Sequence, residues 1–395
     1  MSTMVRLAEL FHVGSSKRVL KSQWQEVGVP FYRGREITRL SVDGFVENEL
    51  FISESLYRAL SGQYGVPGAD DIMVTAIGTI GNSYVVTTGD RFYFKDASVL
   101  WLKKTADVNS EFINYWLKSD QFFDQLDRGN GATVDTLTIQ KLQSLVIEVP
   151  SLDEQRRIVA MLDEAFEGIA TAKAHAEKNL RNAREVFSAV LASFFPSSRA
   201  EVTLVELADS ISDGDHAPPP KAKDGVPFIT ISNIDKVIRQ IDFADTFLVP
   251  RSYFDGLKAH RRPVAGDVLY TVTGSFGIPV LVTGEQEFCF QRHIGLIRPK
   301  PTVDAAWLTY ALLSPMAFAQ ADQRATGTAQ RTVSLSVLRD LRLPRLPADE
   351  QRRVAAEIAT LESRTRELED CFARKLAALD ELKQSLLHQA FSGQL

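Results

Sequence analysis

The pentapeptide DEQRR occupies residues 153–157 and returns at residues 349–353, 196 positions later in a chain of 395. It marks a repeat, and a repeat constrains the fold more than any other feature here, because two copies of a sequence must build two copies of one unit. Sliding the chain against itself by 195 to 198 positions matches segments in an unbroken order. GVPFYRGREI (28–37) faces GVPFITISNI (225–234), and DIMVTAIGTIG (71–81) faces DVLYTVTGSFG (267–277). FINYWLKS (112–119) faces WLTYALLS (307–314), and GATVDTLTIQKL (131–142) faces GTAQRTVSLSVL (327–338). The chain is a tandem duplication of a unit of about 195 residues.

Within each copy the texture changes once. The first three-quarters holds short β-branched and aromatic runs such as DIMVTAIG, SYVVTT, KVIRQIDF and IPVLVT, punctuated by Gly, Pro, Asn and Asp. Such runs predict strands and turns. Residues 109–126 and their counterpart, 304–322, read as the clearest helix of each lobe. The last quarter then adopts a 3.5-residue rhythm. Apolar positions recur at Ile158, Leu162, Ala165, Ile169, Ala172, Ala176, Leu180, Ala183, Phe187, Val190 and Phe194. The second copy repeats the stripe at Val354, Ile358, Leu361, Leu368, Phe372, Leu376, Leu379, Leu382, Leu386 and Ala390, with Thr365 in the gap. A single stripe over some forty residues needs another helix to cover it, and the available partner is the other copy. The predicted fold is α+β: lobes at 1–150 and 197–347 alternate with long helices at 151–196 and 348–395. The helices pack as an antiparallel coiled coil with internal pseudo-two-fold symmetry. DEQRR then falls in the first helical turn, where Asp153 and Asp349 suit an N-cap or the positive helix end. The remaining Gln155, Arg156 and Arg157, with Gln351, Arg352 and Arg353, read either as part of a duplicated helix start or as a partner-docking surface.

Chemistry is sparse. The six histidines are scattered, and no Cys/His spacing suits zinc. There is no Gly-rich loop ending in Gly-Lys-Ser/Thr. An Asn-Pro-Pro-aromatic or Asp-Pro-Pro-aromatic tetrapeptide, expected of a base amino-methyltransferase, is missing. HAPPPK (216–221) is a proline-rich turn, and Glu381 with Lys383 sits on a helix face. GTIGN (78–82) and GSFGI (274–278) read as tight turns or as phosphate cradles. The chain reads as a binding protein, not an enzyme. No apolar run of about 18 residues suggests a membrane span, the first residues carry no secretory pattern, and two cysteines, Cys289 and Cys371, suit a reducing cytoplasm. A net charge of −5 means that any nucleic-acid contact rests on local patches or on partners.

Two αβ lobes alternating with two similar long helices resemble the specificity subunit of type I restriction–modification systems. The resemblance is carried by GDVLYTVTGSFG, QRHIGLIRPK, WLTYALLS and GTAQRTVSLSVLRDLRLPRLPADEQRRV in the second copy. The first copy departs from it where FKDASVLWLKK and GNGATVDTL stand. The resemblance implies two target-recognition domains reading the halves of a bipartite, asymmetric DNA target, with the helices as spacer. It implies two DNA-methyltransferase subunits using S-adenosylmethionine and two ATP-dependent restriction subunits as partners, with no cofactor on this chain. Candidate contacts to double-stranded DNA are Arg33, Arg35, Thr79, Asn82, Lys95 and Asn130 in the first lobe. In the second they are Thr273, Ser275, Arg292, His293, Thr328, Gln330 and Arg331. The competing reading is a duplicated scaffold whose lobes bind proteins rather than DNA.

Overall fold

Each copy builds the same four-stranded antiparallel sheet around a strand that the sequence makes apolar on both faces. In the first copy Ile72–Thr75 lies between Val99–Lys104 and Ser83–Val85, with Phe11–Gly14 outside Val99–Lys104. In the second, Val268–Thr271 lies between Ile294–Pro299 and Pro279–Leu281, with Ala208–Asp213 at the edge. Every residue of both central strands is buried, as a short continuous apolar run requires. A buried aspartate precedes each. Asp71 accepts from the Gly68 and Lys104 amides (2.8 and 2.9 Å) and the Trp101 indole (2.8 Å). Asp267 accepts from the Val264 amide (2.9 Å) and twice from the Arg298 guanidinium (2.9 and 2.7 Å). A smaller sheet flanks each main one, with Val29–Tyr32 parallel to Tyr93–Phe94 and Val226–Ile229 parallel to Cys289–Phe290.

This computed structural model describes residues 2–126, 136–214, 218–328 and 330–394. Its chain divides into two units, Met1–Ala176 with Arg374–Leu395, and Glu177–Ala373. Each unit therefore holds one lobe and a part of both long helices, Leu152–Phe194 and Ala348–Phe391. In the first unit Ile158, Val159 and Leu162 share a core with Leu387, Ala390 and Phe391. Further along, the Lys383 ammonium lies over the Phe166 ring and Lys173 pairs with Asp380. In the second unit Leu191 and Phe195 share a core with Val354, Ala355 and Ile358, and Arg184 pairs with Glu369 at 2.6 Å. In both, early residues of one helix meet late residues of the other, so the pairing is antiparallel.

Two expectations need correction. Leu368 and Leu382, placed on the apolar stripe, are about half exposed, because a 3.6-residue helix drifts by about 20° per heptad from a 3.5-residue pattern. The 109–126 helix is two, Ser110–Trp116 and Asp120–Gln125, and its counterpart is Ala305–Leu313 followed by Pro315–Arg324. The Ser119 and Ser314 hydroxyls donate to the Trp116 and Ala311 carbonyls at the breaks, and Pro315 starts a new helix rather than continuing the old one. Of the two places open to the DEQRR aspartates, N-cap or first turn, the N-cap of the first long helix goes to Ser151, whose hydroxyl accepts from the Glu154 amide at 3.4 Å. Asp153 and Asp349 are first-turn acids.

Candidate nucleic-acid interface

The turn after each central strand is the most faithfully duplicated part of the lobes. The Thr75 hydroxyl accepts from the Asn82 amide (3.1 Å) and donates to the Thr79 carbonyl. The Thr271 hydroxyl accepts from the Ile278 amide (3.0 Å) and donates to the Ser275 carbonyl (2.8 Å). Gly81 and Gly277 have φ of 89° and 90°, and a Cβ on either would strike the Phe122 or the Phe318 ring at 2.9 or 2.7 Å. The Gly81 and Gly277 amides bond back to the Thr75 and Thr271 carbonyls (3.1 and 3.0 Å). The phosphate-cradle reading is thereby corrected: these N–H groups serve the turn itself. What each turn presents outward is Gly78 with Thr79, and Gly274 with Ser275.

In the first lobe the Gly34–Asp43 helix packs beside this turn. Thr38 Oγ1 lies 2.9 Å from Thr79 Oγ1 and accepts from Asn82 Nδ2 at 3.2 Å, so Thr79 and Asn82 fasten the helix to the turn. Arg33, expected to face DNA, turns inward. Its Nη2 and Nε donate to Glu36 at 2.7 and 3.1 Å, and its amide donates to the same carboxylate at 2.8 Å. Glu36 is buried; burial alone would raise its pKa, but the hydrogen bonds from Arg33 hold it below the usual carboxylate range. Arg35 is engaged by Glu36 at 3.3 Å and by Glu49. Lys95 is exposed, with its amide bonded to the Tyr32 carbonyl at 2.8 Å. Asn130 lies outside the described residues.

In the second lobe Thr273, Arg292, His293 and Gln330 come together, with Asp213 and Thr332, around a pocket of about 370 Å³. The strands hold them there: Thr273 bridges to Thr332, and the Val272 amide donates to the His293 carbonyl at 2.9 Å. Ser275 accepts from Lys236 Nζ at 2.9 Å. Thr328 is exposed. Arg331 is committed elsewhere, pairing with Asp322 and lying 5.5 Å over the Phe276 ring. Where the first lobe has a helix, this lobe has the Ile234–Asp235 and Gln240–Ile241 hairpin. Its tip is fastened within the unit: Glu362 pairs with Arg239, takes Arg366 at 2.7 Å and the Tyr310 hydroxyl at 2.7 Å. Arg366 also donates to the Ile238 carbonyl at 3.1 Å.

The DEQRR segments divide by residue. Gln155 and Gln351 are buried. Gln155 accepts from the Asn109 amide and donates to the Pro150 carbonyl, both at 2.8 Å. Gln351 does the same with the Asp304 amide and the Leu346 carbonyl, both at 2.8 Å. Each glutamine uses both ends of its amide to tie a long helix to the start of a lobe helix. Arg156, Arg157, Arg352 and Arg353 are exposed. Arg157 pairs with Glu154 at 2.6 Å, Arg156 with Asp153 at 3.4 Å, and Arg353 with Glu357 at 2.8 Å. The sequence reading missed Arg39, which is exposed on the Gly34–Asp43 helix; its position three and four residues from Glu36 and Arg35 was the available signal. Among the described residues no cluster could hold a metal ion and no helix is long and apolar enough to cross a membrane.

Two lobes of one design, each joining an antiparallel sheet to a glycine turn beside a differing surface element, define a duplicated two-lobe protein. Residues 2–180 match the family model described as type I restriction modification DNA specificity domain. A type I restriction enzyme specificity subunit of Haemophilus influenzae is 29% identical over 166 residues, covering 42% of this chain and 40% of that one. The EcoBI specificity subunit of Escherichia coli is 22% identical over 296 residues, covering 67% of this chain and 62% of that one. The match thus spans less than two thirds of either curated relative. The fold is shared end to end with a chain from a solved type I restriction–modification complex (TM-score 0.79, 20% identity, 100% and 98% covered). It is shared likewise with the HsdS subunit of Thermoanaerobacter tengcongensis (TM-score 0.60, 20% identity, 100% and 97% covered).

Proposed function

We propose that the two lobes read the two unlike halves of a bipartite, asymmetric target in double-stranded DNA. The chain carries no reaction of its own in this reading. It brings two DNA-methyltransferase subunits, using S-adenosylmethionine, and two ATP-dependent restriction subunits to the target, in the cytoplasm. The observation that carries the reading is the pairing of a constant turn with a changed neighbour. Thr75 and Thr271 fix the same loop twice, while the surface beside it is a helix in one lobe and a hairpin with a pocket lined in part by Thr273, Arg292 and His293 in the other. A protein reading two different sequences needs constant scaffolds with changed contact surfaces, since each base pair offers a distinct donor and acceptor pattern in the major groove. The acidic net charge fits partners that supply part of the phosphate neutralisation. The repeated arginines at 156–157 and 352–353 are the part of the helix starts suited to two equivalent docking surfaces. The experiment is a genome-wide map of modified bases with and without the gene. Loss of modification at one bipartite sequence supports the reading, and an unchanged map refutes it.

A further inference from the structure

The two copies diverge abruptly after their shared GVPF strand. In the first lobe the next residues form the Gly34–Asp43 helix; in the second, equivalent residues form a short 3-10 turn, Ile231–Asn233, and the hairpin. Both elements bond to the same turn position, Thr38 to Thr79 and Lys236 to Ser275. They differ in what covers them. The hairpin tip is held by Glu362, whereas the helix buries only Glu36, Ile37 and Leu40 and leaves its other face open.

That open face has a definite chemistry. Arg35, Arg39 and Val42 fall on one side of the helix at i, i+4 and i+7. Val42 and Phe45 are 72% and 71% exposed, with Phe45 turned out after Gly44, whose φ is 73°. Of the two carboxylates of the helix, Glu36 is turned inward and consumed by Arg33 and Arg35, and Asp43, its last residue, is exposed one turn beyond Arg39. Arg35 is further held by Glu49, while no ion pair forms on Arg39 among the described residues. Arg39 is therefore the guanidinium of this face that is left to recognise something. Arginine beside exposed apolar side chains, with Glu36 turned away, suits an anionic surface that also offers methyl groups. The DNA major groove is such a surface: it is about 12 Å wide, admits one α-helix, and presents guanine acceptors and thymine methyls along its floor.

We infer that the Gly34–Asp43 helix is the element with which the first lobe enters a major groove, Arg39 reading a guanine edge and Val42 meeting a thymine methyl. This rests on the DNA-reading function proposed above. Arg33 and Arg35, the arginines that sequence alone favours, position the helix instead.

The test is selection from a pool of random-sequence duplexes by the full-length chain co-purified with its methyltransferase partner. Wild type, Arg39→Ala, Arg39→Lys and Val42→Ala are compared after denaturation midpoints confirm that each is folded. Arg39→Ala is expected to lose roughly tenfold or more of the preference at one guanine of one half-site, leaving the other half-site intact. Arg39→Lys should retain part of that preference, and Val42→Ala should relax a neighbouring thymine. If Arg39→Ala and Val42→Ala select the wild-type sequence unchanged, or weaken all sequences equally, the helix is not the reader and the inference fails while the DNA function stands. A wild-type protein that selects no common sequence overturns the DNA function, and this inference with it.

Discussion

At the scale of single residues, the repeated pentapeptide owes much of its repetition to its glutamine. Gln155 and Gln351 each satisfy a lobe-helix amide and a carbonyl of the preceding turn from a buried position. Replacing either by Ala strands those groups, so Gln351→Ala should cost about 1–3 kcal/mol in denaturant unfolding of the second unit. Lys118 gives a second residue-scale prediction. It lies half-buried in the first unit near Glu111 and Lys383, and burial, aided by the Lys383 charge against the pull of Glu111, pushes its pKa down to about 8. The unfolded chain holds this proton up to about 10.5. Between these values the unfolded state binds more protons than the folded one, so stability rises with pH from about 8 and levels off near 10.5. The repeat supplies its own control, because Leu313 stands at the equivalent position. Lys118→Leu should remove this rise and stabilise the first unit at pH 7 by about 2 kcal/mol, read by thermal or denaturant unfolding across pH.

At the scale of elements, the hairpin of the second lobe is held at its tip by Glu362, which is half-buried among Arg239, Arg366 and Tyr310. Removing the shared carboxylate leaves two guanidinium groups with no counter-charge. Glu362→Ala should destabilise the second unit by about 3 kcal/mol and speed amide exchange through residues 234–241, with the first lobe's amides unchanged. The elements also show how far the sequence could be read. The long helices were legible because a 3.5-residue rhythm without proline admits little else, and the glycine turns were legible because strand–Gly-x-x-Gly recurs at one offset. The turns' internal use of their own amides was not legible, since it depends on where Thr75 and Thr271 aim their hydroxyls. The breaks at Ser119 and Ser314 were hidden by an apolar pattern continuous across them. Least visible was the divergence after GVPF, where a helix and a hairpin arise from aligned residues. Arg33 showed the same limit: in sequence it is a basic residue near a turn, and only the fold delivers it to Glu36.

At the scale of the whole molecule, duplication explains both the likeness and the difference of the two copies. Sheet, turn and helix start are alike because each copy must fold by the same contacts, while the surfaces beside the turns are released from that requirement. Each long helix contributes to both units, so we propose that its length sets the gap between the half-sites. Excising one full turn from both helices in register should alter the spacer of the modified sequence or abolish modification, and modified-base mapping reads either outcome. The most direct test of the account exchanges residues 197–347 for the corresponding lobe of a type I specificity subunit and maps modified bases across the genome. The account predicts a new target in which one half changes and the other persists. A target unchanged in both halves, or changed in both, contradicts it.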